Sequence, residues 1–163
     1  MPVIKPSVYI ETTVPSVGSA RTSTDIIIAG KQATTKLFWE HERHKFDLYV
    51  SQYVIDECAL GDAEAAKRRL AFIGGITVIP KSDAIEDLAL VYRQLLQLPD
   101  SAKYDSYHLA AGVNLKIDYL LSWNFRHLGT RSNEKIRAYN ERHNLWTPFL
   151  IAPDLLLTLP RRK

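Results

Sequence analysis

Short apolar runs alternate along the chain with longer stretches of helical periodicity. Val8, Tyr9 and Ile10 lie between Pro6 and Pro15 and read as a buried strand, because a strand covered on both faces needs no polar alternation. The same signal recurs at 47–51, at 76–79 (closed by Pro80), at 119–122 and, more briefly, at 149–151. The spacing between these runs predicts helices. A long one is expected over 25–45, with Asp25 as its N-cap and Ile28, Lys31, Gln32, Thr35 and Trp39 along a mixed amphipathic face. A short helix over 54–60 stops at Gly61, and Asp62 caps the next, over 63–73, which Gly74-Gly75 ends. Ser82 or Asp83 opens another, carrying Ile85, Leu88, Ala89, Tyr92, Leu95 and Leu96 at helical spacing. Pro99 breaks the chain before a helix over 104–115, a further one is expected over 133–144, and Leu155 to Leu157 sit in a last helical turn.

Strands alternating with helices predict an α/β fold with a mainly parallel sheet. The chain has no repeat, low-complexity run or linker, so 1–163 is expected to form one domain. A chain of 163 residues buries roughly 70% of its unfolded surface without staples. Cys58 is the only cysteine, which rules out an internal disulfide and a cysteine-rich zinc site and agrees with a reducing, cytoplasmic setting. The N-terminus lacks a basic cluster followed by an apolar run, and no stretch reaches the roughly 20 apolar residues of a membrane span, so neither a signal peptide nor a membrane anchor is expected. The net charge of +3 makes the chain mildly basic, with clusters at Lys67-Arg68-Arg69, at Arg126 and 131–137, and at Arg161-Arg162-Lys163. Such a balance favours contact with phosphates.

Parallel sheets place their sites beyond the carboxyl ends of the strands, near the point where the strand order reverses. Four polar residues fall there. Glu11 follows the first strand, Glu57 lies on the short helix after the second, Asp105 is in the first turn of the 104–115 helix, and Asn124 comes just past the fourth strand. Carboxylates packed together resist ionisation unless a cation lies between them. Oxygen donors select hard ions such as Mg²⁺ or Mn²⁺, which polarise phosphoryl oxygens. The helix dipole is expected to keep Asp105 ionised. Lys103, Arg126 and His127 border the site and are candidate phosphate contacts.

The order of these residues resembles the PIN-domain family. Val8-Tyr9-Ile10-Glu11-Thr12-Thr13 is similar to that family's first strand with its acid-hydroxyl ending. Ser51 to Glu57 resembles its strand-to-helix glutamate, Asp105-Ser106-Tyr107-His108-Leu109-Ala110-Ala111 its aspartate leading a small-residue helix, and Ser122-Trp123-Asn124 its fourth-strand ending. The resemblance covers nearly the whole chain and implies a three-layer α/β/α fold with a mainly parallel five-stranded sheet. It also implies hydrolysis of RNA, with Glu11, Asp105 and Asn124 holding Mg²⁺ or Mn²⁺ and Glu57 orienting or deprotonating the attacking water. Thr13 and Ser122 would orient the carboxylates. For partners it implies RNA, a protein antitoxin covering the groove if the chain is a toxin, and a homodimer.

Two positions depart from the family's pattern. Glu11 stands where most members have Asp, and its extra methylene displaces the carboxylate by about 1.5 Å unless the strand compensates. Asn124 is neutral, which favours one metal over two. These departures give the alternative its content, a non-catalytic PIN-like module that binds RNA or protein. A phosphoryl-transfer relative of the response regulators would need an aspartate nucleophile where Glu11 stands, and the chain has neither GxGxxG nor a Walker-type loop.

Overall fold

The computed structural model describes residues 4–159, apart from the side chains of His127 and Thr130. Five strands, β1 (Ser7–Ile10), β2 (Asp47–Ser51), β3 (Thr77–Ile79), β4 (Tyr119–Leu121) and β5 (Phe149–Ile151), form one sheet in the order β3-β2-β1-β4-β5. Every pairing is parallel. Val8 sits opposite Leu48 on one side and Tyr119 on the other, which makes β1 the central strand. Val8, Tyr9 and Ile10 have no exposed surface, as the unbroken apolar run requires.

Helices cover both faces, giving three layers. On one face α1 (Thr13–Gly18), α2 (Ile26–Leu37) and α4 (Ala63–Phe72) pack together, and α9 (Pro153–Thr158) lies against α2. On the other, α6 (Lys103–Asn114) packs on α5 (Asp83–Leu96), which also meets α8 (Thr130–Arg142). The short α3 (Gln52–Cys58) bridges α4 and α6, and α7 (Phe125–Leu128) leads into α8. Among the described residues no helix is long and apolar enough to cross a membrane.

The caps follow the sequence. Asp25 accepts from the backbone N–H groups of Ile27 and Ile28, Asp62 from Ala65, and Ser82 from Ile85, each satisfying donors that a helix start leaves open. The expected long helix over 25–45 is instead α2, a π turn (Phe38–Glu42) and a 3-10 turn (Arg43–Lys45). Its buried face is Gln32, Thr35 and Phe38, whereas Ile28 lies 46% exposed beside the more open Ile26 and Ile27, so the expected amphipathic face is corrected at that residue. Helix α1 packs so closely on α4 that a Cβ at Gly18 would stand 2.5 Å from Phe72 Cζ. At the amino ends of the central strands, Ser7 donates through its backbone N and its Oγ to Asp118 Oδ2, both at 2.8 Å, which ties β1 to β4. Asp118 is therefore a structural acid at the edge of the sheet opposite the candidate site. The basic tail Arg161-Arg162-Lys163 lies outside the described residues.

Candidate metal centre

The strand order reverses at β1. Strands β2 and β3 extend to one side of it and β4 and β5 to the other, so the switch point at which open parallel sheets form their sites lies beyond the carboxyl ends of β1 and β4. The ladders run one residue past the strands. Glu11 N donates to Leu121 O (3.1 Å) and Ser122 N to Ile151 O (3.1 Å), which seats Glu11 and Ser122 side by side at the sheet's upper rim.

Glu11 is only 2% exposed. Thr13 Oγ1 donates to its Oε2 at 2.5 Å and Ser122 Oγ to the same atom at 2.7 Å. Both hydroxyls are themselves fixed, Thr13 Oγ1 accepting from Trp123 N and Ser122 Oγ from Asn124 N, each at 2.8 Å. The β4–α7 loop thus clamps the carboxylate through two hydroxyls. Asn124 Nδ2 donates to Asp105 Oδ1 at 2.9 Å, which joins the loop to the first turn of α6.

Glu57 occupies the last turn of α3, and the helix begins two residues earlier than its apolar pattern suggests because Ser51 caps it, accepting from Val54 N. From there Glu57 Oε2 meets His108 Nε2 at 2.8 Å. His108 is fully buried, and its other ring nitrogen, Nδ1, bonds the Tyr9 hydroxyl at 2.9 Å. Tyr9 in turn meets Ser51 Oγ at 2.7 Å. A continuous buried chain therefore runs from Glu57 through His108 and Tyr9 to the cap of α3. One donor atom each from Glu11, Glu57 and His108 falls within 4.8 Å of the others. His108 is a member of the cluster that the sequence patterns do not single out. The available signal was its spacing: three residues after Asp105 on one helix, it shares that residue's face.

Burial sets the charges. It drives the Asp105 carboxyl up to about 7, and the nearby charges of Glu11 and Glu57 push the same way, against His108 and the Asn124 hydrogen bond. The expectation that the helix dipole keeps Asp105 ionised is thereby corrected: a dipole contributes about 1 kcal/mol, less than desolvation of a buried carboxylate costs. Burial also raises Glu11, although His108, Thr13 and Ser122 oppose it. For Glu57, burial is outweighed by its hydrogen bond and charge pairing with His108, so its carboxyl stays below the ordinary range. Burial likewise opposes a charge on His108, but the hydrogen bond to Glu57 and the charges of Glu11, Glu57 and Asp105 prevail and raise it. Asp105 bonds Asn124 and feels the charges of Glu11 and Glu57, but the residues whose donor atoms gather within 4.8 Å are Glu11, Glu57 and His108, so of the expected metal ligands Glu11, Asp105 and Asn124 the cluster includes Glu11.

The residues present fit a divalent cation. Ligand bonds of about 2.1 Å place neighbouring donors roughly 3 to 4.2 Å apart, close to the spacing already set among Glu11, Glu57 and His108. A ligating histidine commonly gives its second nitrogen to a fixed partner, the position that Tyr9 fills. Two carboxylates with one imidazole form a harder set than zinc's thiolate sites and a softer one than an all-oxygen cage. Of the bordering residues, Lys103 and Arg126 are exposed, Lys103 Nζ lies 5.4 Å from the Tyr104 ring, and the side chain of His127 is outside those described. No family model matches the chain, and no curated protein matches it in sequence.

Proposed function

We propose that this protein is a metal-dependent endoribonuclease of the PIN-domain type. The observation that carries the reading is the gathering of Glu11, Glu57 and His108 within 4.8 Å of one another, beside Asp105 and Asn124, at the reversal point of a parallel sheet. The residue order that resembles the family supports it, and the mildly basic charge suits a polyanionic substrate. The hydrogen bonds from Thr13 and Ser122 to the Glu11 carboxylate support a glutamate seated at the first position.

In this reading Glu11, Glu57 and His108 hold Mn²⁺ or Mg²⁺, and Asp105 with Asn124 completes the site. The bound ion supplies Lewis-acid polarisation of a phosphoryl oxygen. Thr13 and Ser122 fix the direction of the Glu11 carboxylate. Tyr9 and Ser51 fix the imidazole ring of His108. The Glu57 carboxylate, held below the ordinary range by its pairing with His108, orients the attacking water and takes its proton through the oxygen that it does not share with His108. If the chain acts as the toxin of a toxin–antitoxin pair, its expression arrests growth and the Glu57→Gln variant does not.

The test is single-turnover cleavage of RNA by Glu57→Gln in Mn²⁺. The expected loss is at least about 100-fold, with an unchanged circular dichroism spectrum. A variant that cuts RNA as fast as the wild type would remove Glu57 from the chemistry.

A further inference from the structure

A cleft opens at the amino ends of β2 and β3, at the end of the sheet away from the acidic centre, and the proposed chemistry does not use it. Its volume is about 470 Å³, within the roughly 300–1,000 Å³ of small-molecule sites. Arg43, His44 and Phe46 reach it from the 3-10 turn and the residue that follows, Asp47 opens β2, Gly75 lies in the turn after α4, and Thr77 opens β3. Asp47 and Ser51 are the two ends of β2, about 13 Å apart along the strand. A ligand beside Asp47 therefore lies clear of the metal centre.

The charged groups of the cleft do not satisfy one another. Lys45, in the same turn, is paired with Glu42. Among the described residues the Arg43 guanidinium, the His44 imidazole and the Asp47 carboxylate make no hydrogen bond and no ion pair. Arg43 lies over the Trp39 ring, 5.1 Å from its centroid. A guanidinium held on an indole face is placed without using its N–H donors, which stay available to an oxyanion. The Gly75 N–H likewise has no acceptor among the described residues. At φ +81° and without a side chain, the backbone there is open to close approach. Phe46 is half-buried against Phe38, ring centroids 5.9 Å apart, and gives the wall an apolar ring.

The cleft thus offers a cation, a carboxylate that only accepts hydrogen bonds, and an aromatic surface. A phosphate meets the first. A carboxylate takes two neighbouring N–H donors. Of the common nucleobases guanine alone presents that pair, its ring N–H beside its amino group. Adenine and cytosine set a ring acceptor next to their amino group, and uracil a single N–H between two carbonyl oxygens, so each turns a lone pair towards the carboxylate. An aromatic ring suits the plane of a base. We infer that this cleft is a second, non-catalytic site for a guanosine 5′-phosphate. The phosphate meets Arg43 and His44, with the Gly75 N–H as a further donor, and the donor edge of the guanine meets Asp47. No residue of the cleft belongs to the metal centre, so the site stands whether or not the protein cuts RNA.

The experiment is titration calorimetry of the full chain with guanosine monophosphate, adenosine monophosphate, xanthosine monophosphate and inorganic phosphate. EDTA is present, so that no metal carries a phosphate to the acidic centre. Mn²⁺ affinity is measured on separate samples. Guanosine monophosphate should bind at least about 10-fold tighter than adenosine monophosphate or phosphate. Arg43→Ala should weaken it by about 10-fold or more. Asp47→Asn should turn the preference to xanthosine monophosphate, whose second carbonyl accepts from an amide. Neither side chain is hydrogen-bonded to the described residues, so both variants should keep the wild-type circular dichroism spectrum and Mn²⁺ affinity. Equal affinity for the guanosine and adenosine nucleotides, phosphate binding as tight as either, or an Asp47→Asn variant that still prefers guanosine monophosphate would overturn the inference. So would a wild type that takes up no guanosine monophosphate at millimolar concentration.

Discussion

Removing the proton from Asp105 should cost the metal-free protein stability. Asp105 is 6% exposed, and its carboxyl is pushed up from 3.8 to about 7, with burial the first cause and the Glu11 charge the second. The folded state therefore keeps a proton that the unfolded chain releases above its ordinary value, and stability falls as pH rises from about 4 to about 7. At about 1.4 kcal/mol per unit the full loss is on the order of 4 kcal/mol, of which roughly 2–3 kcal/mol falls between pH 5 and 8. His108 adds to the same slope, because its raised value gives stability that is present in acid and lost as pH climbs through the folded value. Glu57, held low by His108, contributes stability above its unfolded value that is lost as pH falls through its lower folded one, so it acts at the acidic end of the range. The assay is urea unfolding in EDTA at steps from pH 5 to 8, for the wild type and Asp105→Asn. Wild-type stability should fall across the range and the variant should show a clearly shallower slope. Added Mn²⁺ should stabilise the wild type more at pH 8 than at pH 5, since the ion binds the ionised carboxylates. A flat or rising wild-type profile in EDTA would refute the assignment of burial and Glu11 charge as the dominant influences on Asp105.

Three further outcomes follow from the geometry. His108→Gln should weaken Mn²⁺ binding by about 10- to 100-fold and narrow the preference for Mn²⁺ over Mg²⁺ in calorimetry; an equal loss for both ions would reduce His108 to a structural partner of Glu57. Tyr92→Phe removes a buried hydroxyl that donates to Asn140 Oδ1 at 2.5 Å, while Asn140 also donates to Trp146 O and Thr147 Oγ1. It should cost about 1–3 kcal/mol in urea unfolding and leave Mn²⁺ affinity unchanged. Asp118→Ala unties the amino ends of β1 and β4 and should likewise lower the unfolding midpoint, with no effect on Mn²⁺ binding, because that edge is opposite the metal centre.

Strands were the most legible part of the sequence. The apolar run at 8–10 is buried on both faces, so its composition alone marks it, while the runs at 47–51 and 149–151 are buried only towards their carboxyl ends. Caps were equally plain, since Asp25, Asp62 and Ser82 each have one local task. Helix α1 was hidden because Thr-Val-Pro-Ser-Val-Gly reads as a turn; Pro15 is tolerated there only because a helix's first turn has no N–H partners to lose. The phase of α2 was misread at Ile28 because tertiary packing chose Gln32 and Thr35 for its buried face: Gln32 bonds Arg21 O and the backbone N of Ser23, and Thr35 takes the indole N–H of Trp123. The acids were found by their place after strands, a rule of topology. His108 escaped because its role depends on contacts with Tyr9 and Glu57, 99 and 51 residues away along the chain. The state of Asp105 escaped because burial cannot be read from a helix's first turn.

The central claim is most directly tested by incubating purified protein with a structured RNA pool in Mn²⁺, Mg²⁺ or EDTA, alongside Asp105→Asn. Cutting is expected in Mn²⁺, weaker cutting in Mg²⁺, none in EDTA and at least about 100-fold less in the variant. Cutting that survives EDTA, or that is unchanged in Asp105→Asn, would contradict it.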